Sequence, residues 1–293
     1  MEQVKKPILV AVDFSDSTKT TVAHAAMLAK TLRADLVLLH VIENLFNGFN
    51  VTEMALHAHS PEHTIVNEVE NRLKQLVDHA QESGLHCRYQ LEVGSIHKTI
   101  SKVASDLDAA FVVLGAHGQS GFEEFLIGSN AFRVSATAPC PVITLHDNSQ
   151  YTDVYKQIVM PVDTSFYSRQ KVKATAQLAK SFGAKIYVLG VSIDDDAETI
   201  QKLHVLGNQI SEYLHAHAIT HEVAYETGNN ITDSTIVYAK ALKADLISIM
   251  TEQEPSVRSL IMGEFAQQMI NRSPIPVISF RPREVSSQLD FSL

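Results

Sequence analysis

Gly115, Gly118 and Gly128 stand at fixed offsets in GAHGQSGFEEFLIGSN (115–130), and Ser129 follows the last of them. Glycines in such a stretch let main-chain N–H groups approach an anion, because no Cβ stands in the way. The serine hydroxyl adds a further donor. An apolar run, AAFVVL (109–114), leads in, and a helix-like segment, NAFRVSATA (130–138), leads out. A strand, a glycine loop and a helix start together aim unpaired helix N–H groups at whatever lies in the loop, and a phosphate suits that geometry. Neither G-x-x-x-x-G-K-[ST] nor G-x-G-x-x-G occurs; the spacing is G-x2-G-x9-G-S. A loop needing only glycine turns would show the same pattern, so the rest of the chain must decide.

The elements that position these residues are written twice. PILVAVDFSDSTKTTVAHAAMLAKTLRADLVLLHVI (7–42) matches QIVMPVDTSFYSRQKVKATAQLAKSFGAKIYVLGVS (157–192) without a gap, placing Asp13 on Asp163 and Val41 on Val191. FLIGSNAFRVSATAPCPVITL (125–145) matches SLIMGEFAQQMINRSPIPVISF (259–280), with Gly128 on Gly263 and Pro139 on Pro274. Strand candidates in the first copy are 8–12, 35–41, 87–93, 110–114 and 141–145. They are rich in Val, Ile and Leu without polar alternation, as parallel strands buried on both faces should be. Helices are expected between them, over 18–32 from its apolar spacing and over 60–80 from a Ser cap and a Pro in the first turn. This alternation predicts α/β architecture: two tandem doubly wound domains, Rossmann-like, each with a five-stranded parallel sheet. The expected domains are 1–147, with an intact glycine loop, and 154–283, joined by the polar, turn-prone segment 146–156.

The whole-chain figures bound the function. Hydrophobic content of 45% supports ample core, and a formal net charge of −9 argues against nucleic acid or an anionic membrane as the main partner. Two cysteines are too few for a disulfide framework and suit a reducing compartment. No cleavable leader and no membrane-length apolar run is evident, so a cytoplasmic location is expected.

VVLGAHGQSGFEEFLIGSNAFRVSATAPCPVITL, together with ILVAVDFSDST at the start, resembles the universal stress protein family, and the resemblance covers nearly the whole chain as two copies. It implies a five-stranded parallel sheet of the adenine nucleotide alpha hydrolase-like kind and, in many members, bound ATP. Carried over by position, Asp13 would contact the nucleoside, with Ala11 and Val41 lining the base. Gly115, His117, Gly118, Gly128, Ser129 and Asn130 would surround the ribose and phosphates, with or without Mg2+. Family members commonly dimerise, and tandem ones use their halves as an internal pseudo-dimer, here expected through the last strands. Two chains could associate further, and an unidentified protein partner is expected.

Departures from the family pattern matter. Ala11 stands where proline is common, and the loop carries Gln119, Glu123 and Glu124 where basic residues are common. An unscreened like-charge contact there would cost about 1–4 kcal/mol. In the second copy Gly115 becomes Met250, Gly118 becomes Gln253 and Ser129 becomes Glu264, so one nucleotide site per chain is expected. Cys140 reads as a small buried residue rather than a nucleophile. The histidine groups His57, His59, His63 and His215, His217, His221 lack a completing cysteine or carboxylate and read as solvent-facing. His117 and Asp13 have no evident catalytic partner, so the chain reads as a nucleotide-binding stress-response regulator and not an enzyme. A nucleotide-free scaffold and a slow ATP hydrolase are the alternatives. The enzymes of the wider group typically carry a Ser-Gly-Gly loop after strand one or a His-x-Gly-His motif, and the first of these places here reads VDFSDST.

Overall fold

A computed structural model of the chain describes residues 6–43, 61–116, 129–146, 149, 152–193, 196–251 and 262–282. It divides into two compact units, Met1–Val142 and Ile143–Leu293.

In the first unit the described elements run β1 (Ile8–Ala11), α1 (Thr18–Leu32), β2 (Leu36–Glu43), α2 (Pro61–Glu82), β3 (Cys87–Gly94), α3 (Ile96–Asp106), β4 (Phe111–Gly115) and α4 (Ser129–Thr137). β5 (Val142–Leu145) begins at the unit's last residue. The strand order is β3-β2-β1-β4-β5. β1 pairs in parallel with β2 (Ala11 opposite Leu39) and with β4 (Val10 opposite Val113), and β2 pairs in parallel with β3. Successive strand residues face opposite sides, and both sides are buried: Ile8, Leu9, Val10, Leu36, Val37, Leu38 and Leu39 are fully inaccessible. This explains the unbroken apolar runs.

Helix α1 has the expected bounds. Its buried stripe, Thr21, Val22, Ala25, Leu28 and Ala29, follows the three-to-four spacing, and Arg33 in the left-handed region ends it by donating to Ala29 and Lys30 carbonyls. The helix expected over 60–80 spans Pro61–Glu82. On one sheet face a cluster of Leu9, Val37, Leu39, Val41, Val112, Leu114 and Val142 packs against Ile100 and Val103 of α3 and Ala131 and Val134 of α4.

The second unit repeats the plan with β6 (Gln157–Val162), a 3-10 turn (Phe166–Arg169), α5 (Gln170–Phe182), β7 (Lys185–Ser192), α6 (Ala197–Ala216), β8 (His221–Thr227), α7 (Ile231–Ala241), β9 (Leu246–Met250), α8 (Glu264–Arg272) and β10 (Val277–Phe280). Its order, β8-β7-β6-β9-β10, is the same, and the pairings β6–β7, β6–β9, β7–β8 and β9–β10 are parallel. In each unit the chain winds outward on one side of its first strand and then returns to the other. The crevice where these directions part, at the carboxyl ends of β1 and β4 or of β6 and β9, is where such folds take ligands.

Candidate functional site

β1 delivers Ala11, Val12 and Asp13 to the first unit's crevice. Val12 N–H donates to Leu39 O at 2.8 Å, after which the chain turns away from the sheet. The turn is organised by Asp13. Its Oδ1 accepts from Ser15 N–H (3.0 Å), Ser15 Oγ–H (2.7 Å) and Thr18 Oγ1–H (3.1 Å). Its Oδ2 makes no hydrogen bond to the described residues, so one carboxylate oxygen holds the turn and the other remains available to a ligand hydroxyl.

Ala11 and Val41, 30 positions apart, are drawn to one apolar cluster. Both belong to the apolar cluster that includes Leu39, Leu114 and Ala131, Val41 as a buried member and Ala11 packed against it. Gly115 ends β4, half-buried, and Ser129 and Asn130 open α4, where the first-turn N–H groups have no intrahelical acceptors. The first unit thus brings Ala11, Asp13, Val41, Gly115, Ser129 and Asn130 to the strand ends and helix start around one crevice. His117, Gly118 and Gly128 lie outside the described residues.

Three residues at this edge escaped sequence reasoning. His40 Nδ1 lies 2.6 Å from Val12 O. Phe14, in the left-handed region at φ 60°, stacks on the His40 ring at 4.8 Å, and the Arg72 guanidinium of α2 lies 4.1 Å from the Phe14 centroid. Burial lowers the pKa of His40, and Arg72 adds to that; the bond to Val12 and the charge of Asp13 oppose it. The one signal in the sequence was a histidine inside the apolar run LVLLHVI that opens β2.

The second unit's crevice is built differently. Asp163 Oδ1 again accepts from the residue two ahead, Ser165 N–H (2.7 Å), and Asp163 N–H donates to Ser168 Oγ (3.1 Å). Lys171 of α5, at the position of Thr21, is 2% exposed, and its Nζ donates to Ser168 O (3.0 Å) and Oγ (3.2 Å). Burial lowers its pKa to about 8, opposed by the charge of Asp163. Met250 is buried at the end of β9, and Glu264 opens α8, exposed, accepting from Gln268 Nε2 at 2.9 Å. Gln253 lies outside the described residues.

His217 Nδ1 bonds Tyr213 O, and His221 bonds Ser211 Oγ and Ile219 O, each at 2.8 Å. No cluster of three or more His, Cys, Asp or Glu that could hold a metal occurs among the described residues. His57 and His59 lie outside them. Burial raises the pKa of both Cys87 and Cys140 to about 11, which keeps them as neutral thiols. No described helix is long and apolar enough to cross a membrane.

Strand order and the repeated alternation of strands and helices define a tandem, doubly wound α/β protein. The model of the universal stress protein family matches residues 5–146 and again 154–281, and the chain belongs to that family. Universal stress protein YxiE of Bacillus subtilis is 30% identical over 145 residues, covering 46% of this chain and 95% of that protein. Universal stress protein MJ0577 of Methanocaldococcus jannaschii is 25% identical over 158 residues, covering 50% and 97%. The crystal structure of a universal stress protein from Archaeoglobus fulgidus superimposes with a TM-score of 0.74 at 18% identity, covering 95% of this chain and 97% of that one. At that identity the likeness concerns the fold.

Proposed function

We propose that the first unit binds one adenine nucleotide, ATP, and that the chain acts as a cytoplasmic stress-response regulator whose nucleotide occupancy is read by a protein partner. The observation that carries this is the placing of an apolar patch (Ala11, Val41, Leu114), a carboxylate whose Oδ2 bonds none of the described residues, and a helix start at the strand ends of one unit. The patch suits a base, Asp13 Oδ2 a ribose hydroxyl, and α4 with Gly115, Ser129 and Asn130 the phosphates. His117, Gly118 and Gly128 are assigned to the same phosphate loop by the family resemblance. With no metal-binding cluster among the described residues, Mg2+ would be carried by the phosphates, which supply oxygen ligands of the kind it prefers. The functional domains of this reading are 1–147 and 154–283.

Calorimetric titration of the full chain with ATP and Mg2+ tests this, with one site per chain expected. Two sites would overturn the assignment of a nucleotide-free second unit. No binding would leave the nucleotide-free scaffold.

A further inference from the structure

We propose that His40 is the positioning residue of the first unit's crevice, clamping the turn that carries Asp13 onto the strand that carries Val41. This rests on the nucleotide reading above and adds to it the residue that sets the crevice's shape.

The clamp follows from where the β1–β2 ladder stops. In a parallel pair, the N–H and C=O of one residue face the same neighbour and bond on either side of its partner. Val12 N–H bonds Leu39 O, so a continuing ladder would send Val41 N–H to Val12 O. Pairing ends instead at Ala11 opposite Leu39, and the His40 imidazole reaches Val12 O at 2.6 Å. A carbonyl only accepts, so Nδ1 carries the proton and donates. The side chain thus takes over an acceptor that the ladder would have used, and Val41 N–H is left directed past the end of β1. One bond therefore does two things. It fixes the residue preceding Asp13, and it keeps a backbone donor of β2 out of the ladder at the crevice edge.

The stack above it holds the clamp in place. Phe14 follows Asp13 with φ 60°, a conformation a bulky side chain adopts only when its surroundings hold it there. Its ring lies 4.8 Å from the His40 ring and 4.1 Å from the Arg72 guanidinium, so α2, the turn and β2 are joined through it. The second unit supplies the contrast. Gly190 occupies the position of His40 and Thr164 that of Phe14. A Cβ at Gly190 would lie 2.7 Å from the Tyr225 ring, so that space is already filled. There the turn is anchored through Ser168 and Lys171. The imidazole clamp is thus found in the unit that keeps the glycine loop and is missing from the one that lost it.

The test uses the full chain with His40→Leu, which removes the donor, and His40→Asn, whose amide nitrogen can replace Nδ1. ATP affinity should fall at least about tenfold in His40→Leu and stay within about threefold of wild type in His40→Asn. Nitrogen NMR of the wild-type ring should show the Nδ1–H tautomer. Amide exchange at Ser15, whose N–H bonds Asp13, should quicken in His40→Leu and recover in His40→Asn. Unchanged affinity in His40→Leu with unchanged exchange, or an Nε2–H tautomer, overturns the proposal. Should wild type bind no ATP, the function falls separately: quickened exchange with the expected tautomer would uphold the clamp, and unchanged exchange would sink it. If His40→Leu does not fold, a loss of affinity in His40→Asn matching any fall in its melting temperature would count against a positioning role.

Discussion

Replacing Lys171 with methionine should stabilise the second unit at neutral pH. The ammonium is 2% exposed and among the described residues donates to Ser168 alone, and burial lowers its pKa from 10.5 to about 8. That difference corresponds to about 3 kcal/mol of penalty on the charged form at pH 7. Methionine keeps much of the volume without the charge, at the loss of two hydrogen bonds worth about 1 kcal/mol each once the amine is neutral. The net expectation is a gain of about 1–2 kcal/mol at pH 7. Because the folded pKa lies below the unfolded one, the unfolded chain holds more protons between about pH 8 and 10.5, so stability rises with pH across that window. Below about pH 8 this contribution is flat. Denaturant unfolding of wild type and Lys171→Met at pH 7, 8, 9 and 10 isolates the lysine, since every other group is common to both. The gain from the substitution should shrink from pH 8 upward and change sign near pH 9. A variant less stable than wild type at pH 7, or a difference that does not vary with pH, would refute the reasoning and show Lys171 to be a net stabilising partner of Asp163.

On the nucleotide reading, Gly118→Val should abolish ATP binding while leaving the melting temperature within a few degrees, because a β-branched side chain would hold the phosphate off the main chain. Unchanged affinity by calorimetry would reduce the glycines to turn formers. With both thiol pKa values raised to about 11, Cys87 and Cys140 should react slowly with a thiol reagent at pH 7.5 in the native protein and at once in denaturant. Rapid native labelling at either position would contradict that.

Much of the first unit was legible without coordinates, for a local reason. The runs at 8–12 and 110–114 are apolar at every position, and 35–41 is so but for Asp35 and His40, because the strands they form are covered on both faces; the spacing in 18–32 is the period of a helix on a core. Gapless repetition placed Asp13 and Asp163 at equivalent strand ends, and Gly115 and Ser129 fell where β4 ends and α4 begins. Periodicity records which way each side chain points within its own element. It does not record what stands opposite. His40 and Val12 are 28 positions apart, and only the pairing of β1 with β2, ending at Ala11, brings the imidazole to a carbonyl that the ladder leaves open. Lys171 lies on the buried stripe of α5, where the residue type alone suggests a solvated charge; the closure of the 3-10 turn over it gives the ammonium its acceptors and removes its water. Sequence by itself determined the elements, the repeat and the residues delivered to the strand ends. Register between strands and packing across the turns decided how those residues are held, because hydrogen bonds and burial between distant segments exist only once both are in place.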